Sequence, residues 1–203
     1  MKLILVTTPN YFIEEDKILT SLFEEGLDIL HLRKPNTAPM FAERLLTLIP
    51  EQYHKRIIVH GHFYLKEEFG LKGIHINGRN NQIPDMYKGH VSTTCHSFDE
   101  IKKEKASNDY LILNPIFKDE YKDDDIISSF TKEQILNARK NNVIDKKIMA
   151  AGGINENNIT QIEEMGFGGA VIMNGLWDYF DACSDRDYSI LIEHFRKLKK
   201  LSD

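Results

Sequence analysis

Met149-Ala-Ala-Gly-Gly-Ile154 is a short apolar run that ends in a pair of glycines. Gly169-Ala-Val-Ile-Met-Asn-Gly175 has the same form further along, and Asn155 to Gly166 between them reads as one helix. Either segment alone fits a plain αβ turn beside a buried strand. Together they describe a βαβ unit whose two strands both end in small residues, where backbone N–H groups can approach an anion closely.

Working outward, apolar runs alternate with amphipathic stretches along the whole chain. The predicted strands are Leu3–Thr7, Ile29–Arg33, Ile57–His60, Gly73–Ile76, Val91–His96, Tyr110–Asn114, Lys147–Ala151 and Gly169–Met173. Most are apolar without strict alternation, as parallel strands covered on both faces should be. The predicted helices are Ile13–Glu25, Pro39–Leu48, a short Phe63–Phe69, Ser97–Ala106, Thr131–Asn141, Asn155–Met165 and Tyr188–Lys200. Ser97-Phe-Asp-Glu100 has the pattern of a capping box, and Thr131 is a second N-cap. Asn81–Gly89 has room for only about a turn of helix. Eight βα repeats favour an α/β fold of one domain, residues 1–203, closed as a short (β/α)₈ barrel with a weak fourth helix. An open flavodoxin-like sheet is the alternative, and it requires fewer strands. In a barrel, the glycine-bearing ends of strands 7 and 8 form the usual phosphate site.

The 203 residues suffice for one full core, and the net charge of −5 argues against a nucleic-acid partner. The basic cluster Arg196 to Lys200 reads as the solvated face of a last helix. Two distant cysteines, Cys95 and Cys183, form neither a disulfide framework nor a metal knuckle. The apolar start, Met1-Lys-Leu-Ile-Leu-Val-Thr7, is too short for a membrane span or signal peptide. A soluble cytoplasmic protein, free of membrane partners and open to homo-oligomerisation, is the expectation.

Barrel chemistry sits at the C-terminal strand ends. Those ends are polar here and gather five of the eight histidines. Arg33 and Lys34 suit a phosphate or carboxylate. His96 suits proton transfer near neutral pH or a structural role. His60, His62 and His75 have no carboxylate close by in sequence and match no familiar zinc spacing, so no metal site is expected. Cys95 points away from Thr94 and His96, into the helix layer, which excludes a Cys95–His96 nucleophilic pair. Asp119 to Asp125 is an acidic loop carrying Tyr121 and Lys122, solvated or folded over a ligand.

The order of these motifs resembles the thiamine phosphate synthase/TenI family of (β/α)₈ proteins over nearly the whole chain. The likeness rests on His31-Leu-Arg-Lys34, Gly73-Ile-His-Ile76, Thr94-Cys-His-Ser97, Asn114-Pro-Ile-Phe117, Ala151-Gly-Gly-Ile154 and Ala170-Val-Ile-Met-Asn-Gly175. The resemblance implies a phosphorylated thiazole held by Gly152, Gly153, Asn174 and Gly175. It implies one of two reactions: coupling to a pyrimidine pyrophosphate with Mg²⁺, or metal-free tautomerisation of a thiazole carboxylate phosphate. Coupling would place Arg33, Lys34 and Lys122 on pyrophosphate and Thr94 beside the pyrimidine. Tautomerisation would use His96 as acid/base, with Arg33 and Lys122 on developing negative charge.

The departures from the synthase pattern lean towards tautomerisation. The glutamine after strand 2 is His31, and the second lysine position is Pro35. The Asn-Asp pair after strand 3 is His60-Gly61, the next acid aligns with Asn80, and the serine of strand 5 with Thr94. Of the Thr-x-Thr-Lys after strand 6 only Lys122 survives. The TenI pattern has its own mismatch at His62, where an arginine is expected. A non-catalytic thiazole-phosphate binder is the third reading.

Overall fold

The computed structural model describes residues 1–78, 82–117, 130–181 and 187–203. Eight parallel strands close into a barrel in sequence order: β1 (Lys2–Val6), β2 (Ile29–Leu32), β3 (Ile57–Val59), β4 (Gly73–Ile76), β5 (His90–Cys95), β6 (Tyr110–Leu113), β7 (Ile148–Ala151) and β8 (Gly169–Ile172). The ring closes where β1 pairs with β8, from Lys2 beside Gly169 to Leu5 beside Ile172. The open-sheet alternative is thereby excluded. Each strand lies within a residue or so of its sequence-predicted span, because continuous apolar runs bounded by turns leave little freedom of placement.

The strands sort their side chains into two separate layers. Leu3, Leu5, Leu30 and Leu113 point outward and pack under the helices. Ile4, Val6, Ile58, Ile112 and Met149 point inward and fill the barrel. The inward positions of β2, β4 and β5 break this pattern with buried His31, His75 and Ser92. The barrel core is thus apolar beneath β7, β8 and β1 and mixes apolar with polar side chains from β2 to β6. Cys95 faces the outer layer as expected, and burial pushes its thiol up to about 11.

The helices are α1 (Glu15–Glu24), α2 (Pro39–Leu48), α3 (Leu65–Glu68), α4 (Phe98–Glu104), α5 (Lys132–Lys140), α6 (Ile159–Glu164), α7 (Asn174–Trp177) and α8 (Ser189–Ser202), with a 3₁₀ turn at Glu51–Arg56. The α2 bounds match the sequence reading, with Pro39 in the first turn. Thr131 and Gln134 form a complete capping box on α5. At α4 the box is displaced by one residue. Ser97 accepts the Glu100 N–H, but the Glu100 carboxylate takes the N–H of His96 at 2.7 Å.

The helix expected over Asn155–Met165 is shorter. Asn158 accepts the Asn155 N–H and donates to the Gly153 carbonyl, and these bonds tie residues 155–158 to the preceding loop as a turn ahead of the helix. Among the described residues no helix joins β4 to β5, in line with the weak fourth unit. The basic stretch of α8 is a surface face, where Arg196 pairs with Glu25 and Lys199 with Asp28. No helix among the described residues is long and apolar enough to cross a membrane.

Candidate active site

The strand ends of one barrel face surround a cavity of about 1040 Å³. Backbone forms one side. Gly152 follows β7 with φ +94°, and a Cβ there would lie 2.7 Å from Pro115 Cβ. Gly175, in α7, meets the Ile154 carbonyl, which a Cβ would approach to 2.3 Å. Both positions need glycine, Gly152 because Pro115 after β6 packs against it and Gly175 because the Ile154 backbone after β7 does. Three anchors fix this cradle. Trp177 Nε1 donates to the Val6 carbonyl at 2.8 Å, Asn158 donates to the Gly153 carbonyl, and His194 Nε2 sits 3.1 Å from the Gly175 carbonyl. Gly152, Gly153, Asn174 and Gly175 all line the cavity, so the structure brings together the four residues expected to hold phosphate.

Arg33 stands on another part of the wall, at the end of β2, its N–H held by Thr7 Oγ1 at 3.0 Å. Among the described residues the ion pairs do not include Arg33, which leaves its fork available to an anion. Lys34 is placed differently. Its ammonium is 2.5 Å from Glu15 Oε1 and 2.7 Å from the Asn10 carbonyl, with the Tyr11 ring 4.6 Å away. Burial raises the Glu15 carboxyl to about 7, against the opposing pull of Lys34, and lowers Lys34. A pair nineteen residues apart in sequence carries no periodic signal, so Glu15 escaped the sequence reading.

The floor of the cavity is a hydrogen-bonded group of aromatic and hydroxyl side chains. His31 is fully buried, with Nδ1 2.8 Å from His60 Nε2 and Nε2 against the Tyr110 hydroxyl. His75 lies between Ser92 Oγ at 2.9 Å and Thr94 Oγ1 at 3.0 Å. Desolvation holds all three histidines below the ordinary imidazole range, His75 at about 3, and the nearby Arg33 charge adds to this at His60 and His75. His62 does not join them. It turns at φ +50° and its Nε2 lies 3.1 Å from the Thr37 carbonyl. The histidines that come together are therefore His31, His60 and His75, not the His60, His62 and His75 that the sequence sets close together. Strand parity carried this signal: His31 and Ile29 share a face, as do His60 and Ile58.

His96 is exposed at the rim, with Nδ1 2.8 Å from the Asn114 carbonyl, and is absent from the described cavity wall. Lys122 and the acidic stretch 119–125, with Asn80 and Cys183, lie outside the described residues. Magnesium leans on one or two carboxylates. The described cavity wall contains none, so these residues alone do not fit Mg²⁺.

The described residues form a closed (β/α)₈ barrel whose cavity is lined by a glycine-bearing backbone cradle after β7 and β8 and by Arg33, which makes no ion pair among the described residues. Residues 3–176 match the family model described as thiamine monophosphate synthase, and the chain belongs to that family of thiamine-biosynthesis enzymes. It is 26% identical over 186 residues to the thiamine-phosphate synthase of Clostridium tetani, covering 83% of this chain and 85% of that one. It is 24% identical over 172 residues to the Staphylococcus epidermidis thiamine-phosphate synthase, covering 79% and 80%. A Bacteroides thetaiotaomicron structure described as a thiamine phosphate pyrophosphorylase is 58% identical, with a TM-score of 0.93 over 100% of this chain and 98% of that one. A Pyrococcus furiosus structure at 14% identity and TM-score 0.76, covering 99% and 95%, shares the fold.

Proposed function

We propose that the chain joins a thiazole phosphate to a pyrimidine pyrophosphate, releasing pyrophosphate. The cavity carries this reading: at about 1040 Å³ it sits at the upper end for small-molecule pockets and has room for two ring systems side by side. The names of the relatives support the same choice, against the tautomerase lean of the sequence pattern. The Gly152–Gly153 and Asn174–Gly175 backbones hold the thiazole phosphate. Arg33 holds the leaving pyrophosphate and offsets the charge it gains as its bond to the pyrimidine carbon breaks, with Lys122 as its partner in that role. Thr94, fixed by His75, lies beside the pyrimidine. Lys34 acts on the loop rather than on substrate, because Glu15 engages its ammonium.

Tautomerisation is the second reading, favoured by the lack of a carboxylate in the described wall. His96 would then move the proton and Arg33 would hold the thiazole carboxylate.

The test is one incubation of the purified chain with both substrates and Mg²⁺, read by mass spectrometry. Thiamine phosphate is the expected product, and Arg33→Ala should reduce its rate at least about tenfold. Protein that binds thiazole phosphate but forms no product overturns coupling. Loss of isomerisation in His96→Ala would then establish the second reading.

A further inference from the structure

We propose that His31, His60 and His75 form a three-imidazole site for a transition-metal dication of the zinc class, open to the cavity on its fourth side. The site is independent of the substrate reading above and distinct from any magnesium site.

The barrel geometry builds it. His31 lies on β2, His60 follows β3 and His75 lies on β4, three neighbouring strands in parallel register. Ile58 pairs with Gly73, so His60 and His75, each two residues further on, stand side by side with their side chains inward. One ring nitrogen from each lies within 4.8 Å of the others, the only such trio of potential ligands among the described residues. The rings are close-packed, with centroids 5.0 Å apart for His31 and His60 and 4.3 Å for His60 and His75.

The site offers three imidazoles, which bind metal in their neutral form. No net proton needs to leave; the ion takes the place of the His31–His60 hydrogen bond and of the bond between His75 Nε2 and Thr94 Oγ1. The outer anchors are present. Tyr110 faces His31 Nε2 and Ser92 faces His75 Nδ1, and such partners fix tautomer and ring orientation in metal sites. Tetrahedral bonds to zinc of about 2.0–2.1 Å place ligand nitrogens about 3.3 Å apart. The His31–His60 separation of 2.8 Å thus needs to open by roughly half an ångström, and His60, the least buried of the three, borders open cavity.

Donor chemistry selects the ion. Three imidazoles suit zinc, cobalt, nickel or copper, whereas magnesium prefers oxygen. The Arg33 charge opposes a bare dication and favours one that carries an anion on its fourth position.

The experiment strips the purified chain with a chelator and titrates it with Co²⁺, reading visible absorption, then displaces cobalt with Zn²⁺. Expected is one equivalent per chain, the intense bands of four-coordinate cobalt, and no response to Mg²⁺. Zinc at about a hundred times its Kd should raise the melting temperature by about 5–10 °C. His60→Ala should weaken cobalt binding about a hundredfold or more, and Tyr110→Phe about ten- to a hundredfold. His62→Ala and His96→Ala should keep it. If His60→Ala does not fold, Tyr110→Phe carries the test. Absence of stoichiometric binding, loss of binding in His62→Ala, or full binding in a folded ligand or anchor variant overturns the site and leaves the histidines as a hydrogen-bonded filling.

Discussion

Replacing Gly152 with alanine tests whether the cradle after β7 is set by backbone contact. Two costs add at this position. The φ of +94° lies where an L side chain is strained, at about 1–2 kcal/mol. The new methyl would also lie 2.7 Å from Pro115 Cβ and 2.8 Å from Pro115 Cα, atoms of a rigid ring that cannot swing aside. Overpacking of this kind costs about 1–3 kcal/mol. Gly70 supplies the control. Its φ is +61°, and a Cβ there meets nothing within 4 Å. Gly70→Ala therefore carries only the conformational cost, reduced by the lower entropy of its unfolded chain, and should lose about 1 kcal/mol. Gly152→Ala should lose about 2–4 kcal/mol, which for a domain of this size lowers the melting temperature by about 5–15 °C. Calorimetric titration with thiazole phosphate should show at least about tenfold weaker binding for Gly152→Ala and none of that loss for Gly70→Ala, which is remote from the cavity wall. Equal melting temperatures for the two variants would refute the packing argument. Unchanged ligand affinity in Gly152→Ala would separate the glycine contact from phosphate binding.

Three further outcomes follow from individual contacts. Lys34→Met strands a buried Glu15 and should cost about 3–5 kcal/mol in urea unfolding, whereas Glu15→Leu with Lys34→Met should recover most of it. The Glu15 carboxyl, raised to about 7 by burial, binds a proton more tightly folded than unfolded, so its contribution is full below its unfolded value and is lost as pH rises through about 7. The stability deficit of Glu15→Gln should accordingly shrink between pH 5 and pH 8, and a constant deficit would show that Lys34 and Asp16 do not leave the carboxyl raised. Thr131→Ala removes one half of the α5 capping box and should cost about 1 kcal/mol by thermal melting, with no change in ligand affinity.

The barrel was legible because its signal is local. Runs such as Ile57–Val59 and Ile148–Ala151 are apolar on both faces, and glycines or polar residues punctuate them. The cradle was legible for the same reason, since Gly152 and Gly175 mark their own strand ends. What stayed hidden depends on contacts between distant segments. Nothing near Lys34 announces that Glu15 from the preceding unit will hold its ammonium. The helix α6 was read four residues too long at its start because Asn155–Asn158 holds no glycine or proline to mark a later beginning, while the side-chain bonds of Asn158 depend on where the Gly153 carbonyl lies. His62 was grouped with His60 from proximity in sequence. The left-handed turn at φ +50° sends it to Thr37, and only a register spanning β2 to β4 brings His31 into its place.

The two halves of the barrel divide stability and chemistry unequally. Beneath β7, β8 and β1 the core is apolar, and the cradle above it is tied to ring closure through Trp177 and Val6. A change there disturbs phosphate binding and folding together. Towards β2 to β6 polar side chains enter the interior among Ile29, Ile58 and Ile112, and the buried imidazoles of His31 and His75 hydrogen-bond to side chains of neighbouring strands. Apolar side chains could fill that volume without the desolvation cost of polar groups. The polar side chains beneath an open cavity, beside Arg33, are therefore where selection for ligand chemistry rather than for folding should be sought. Substituting His75 by leucine separates the two demands: a variant that melts no lower than the parent yet loses turnover would show that the polar half serves the ligand, and a variant that loses both would return it to the core.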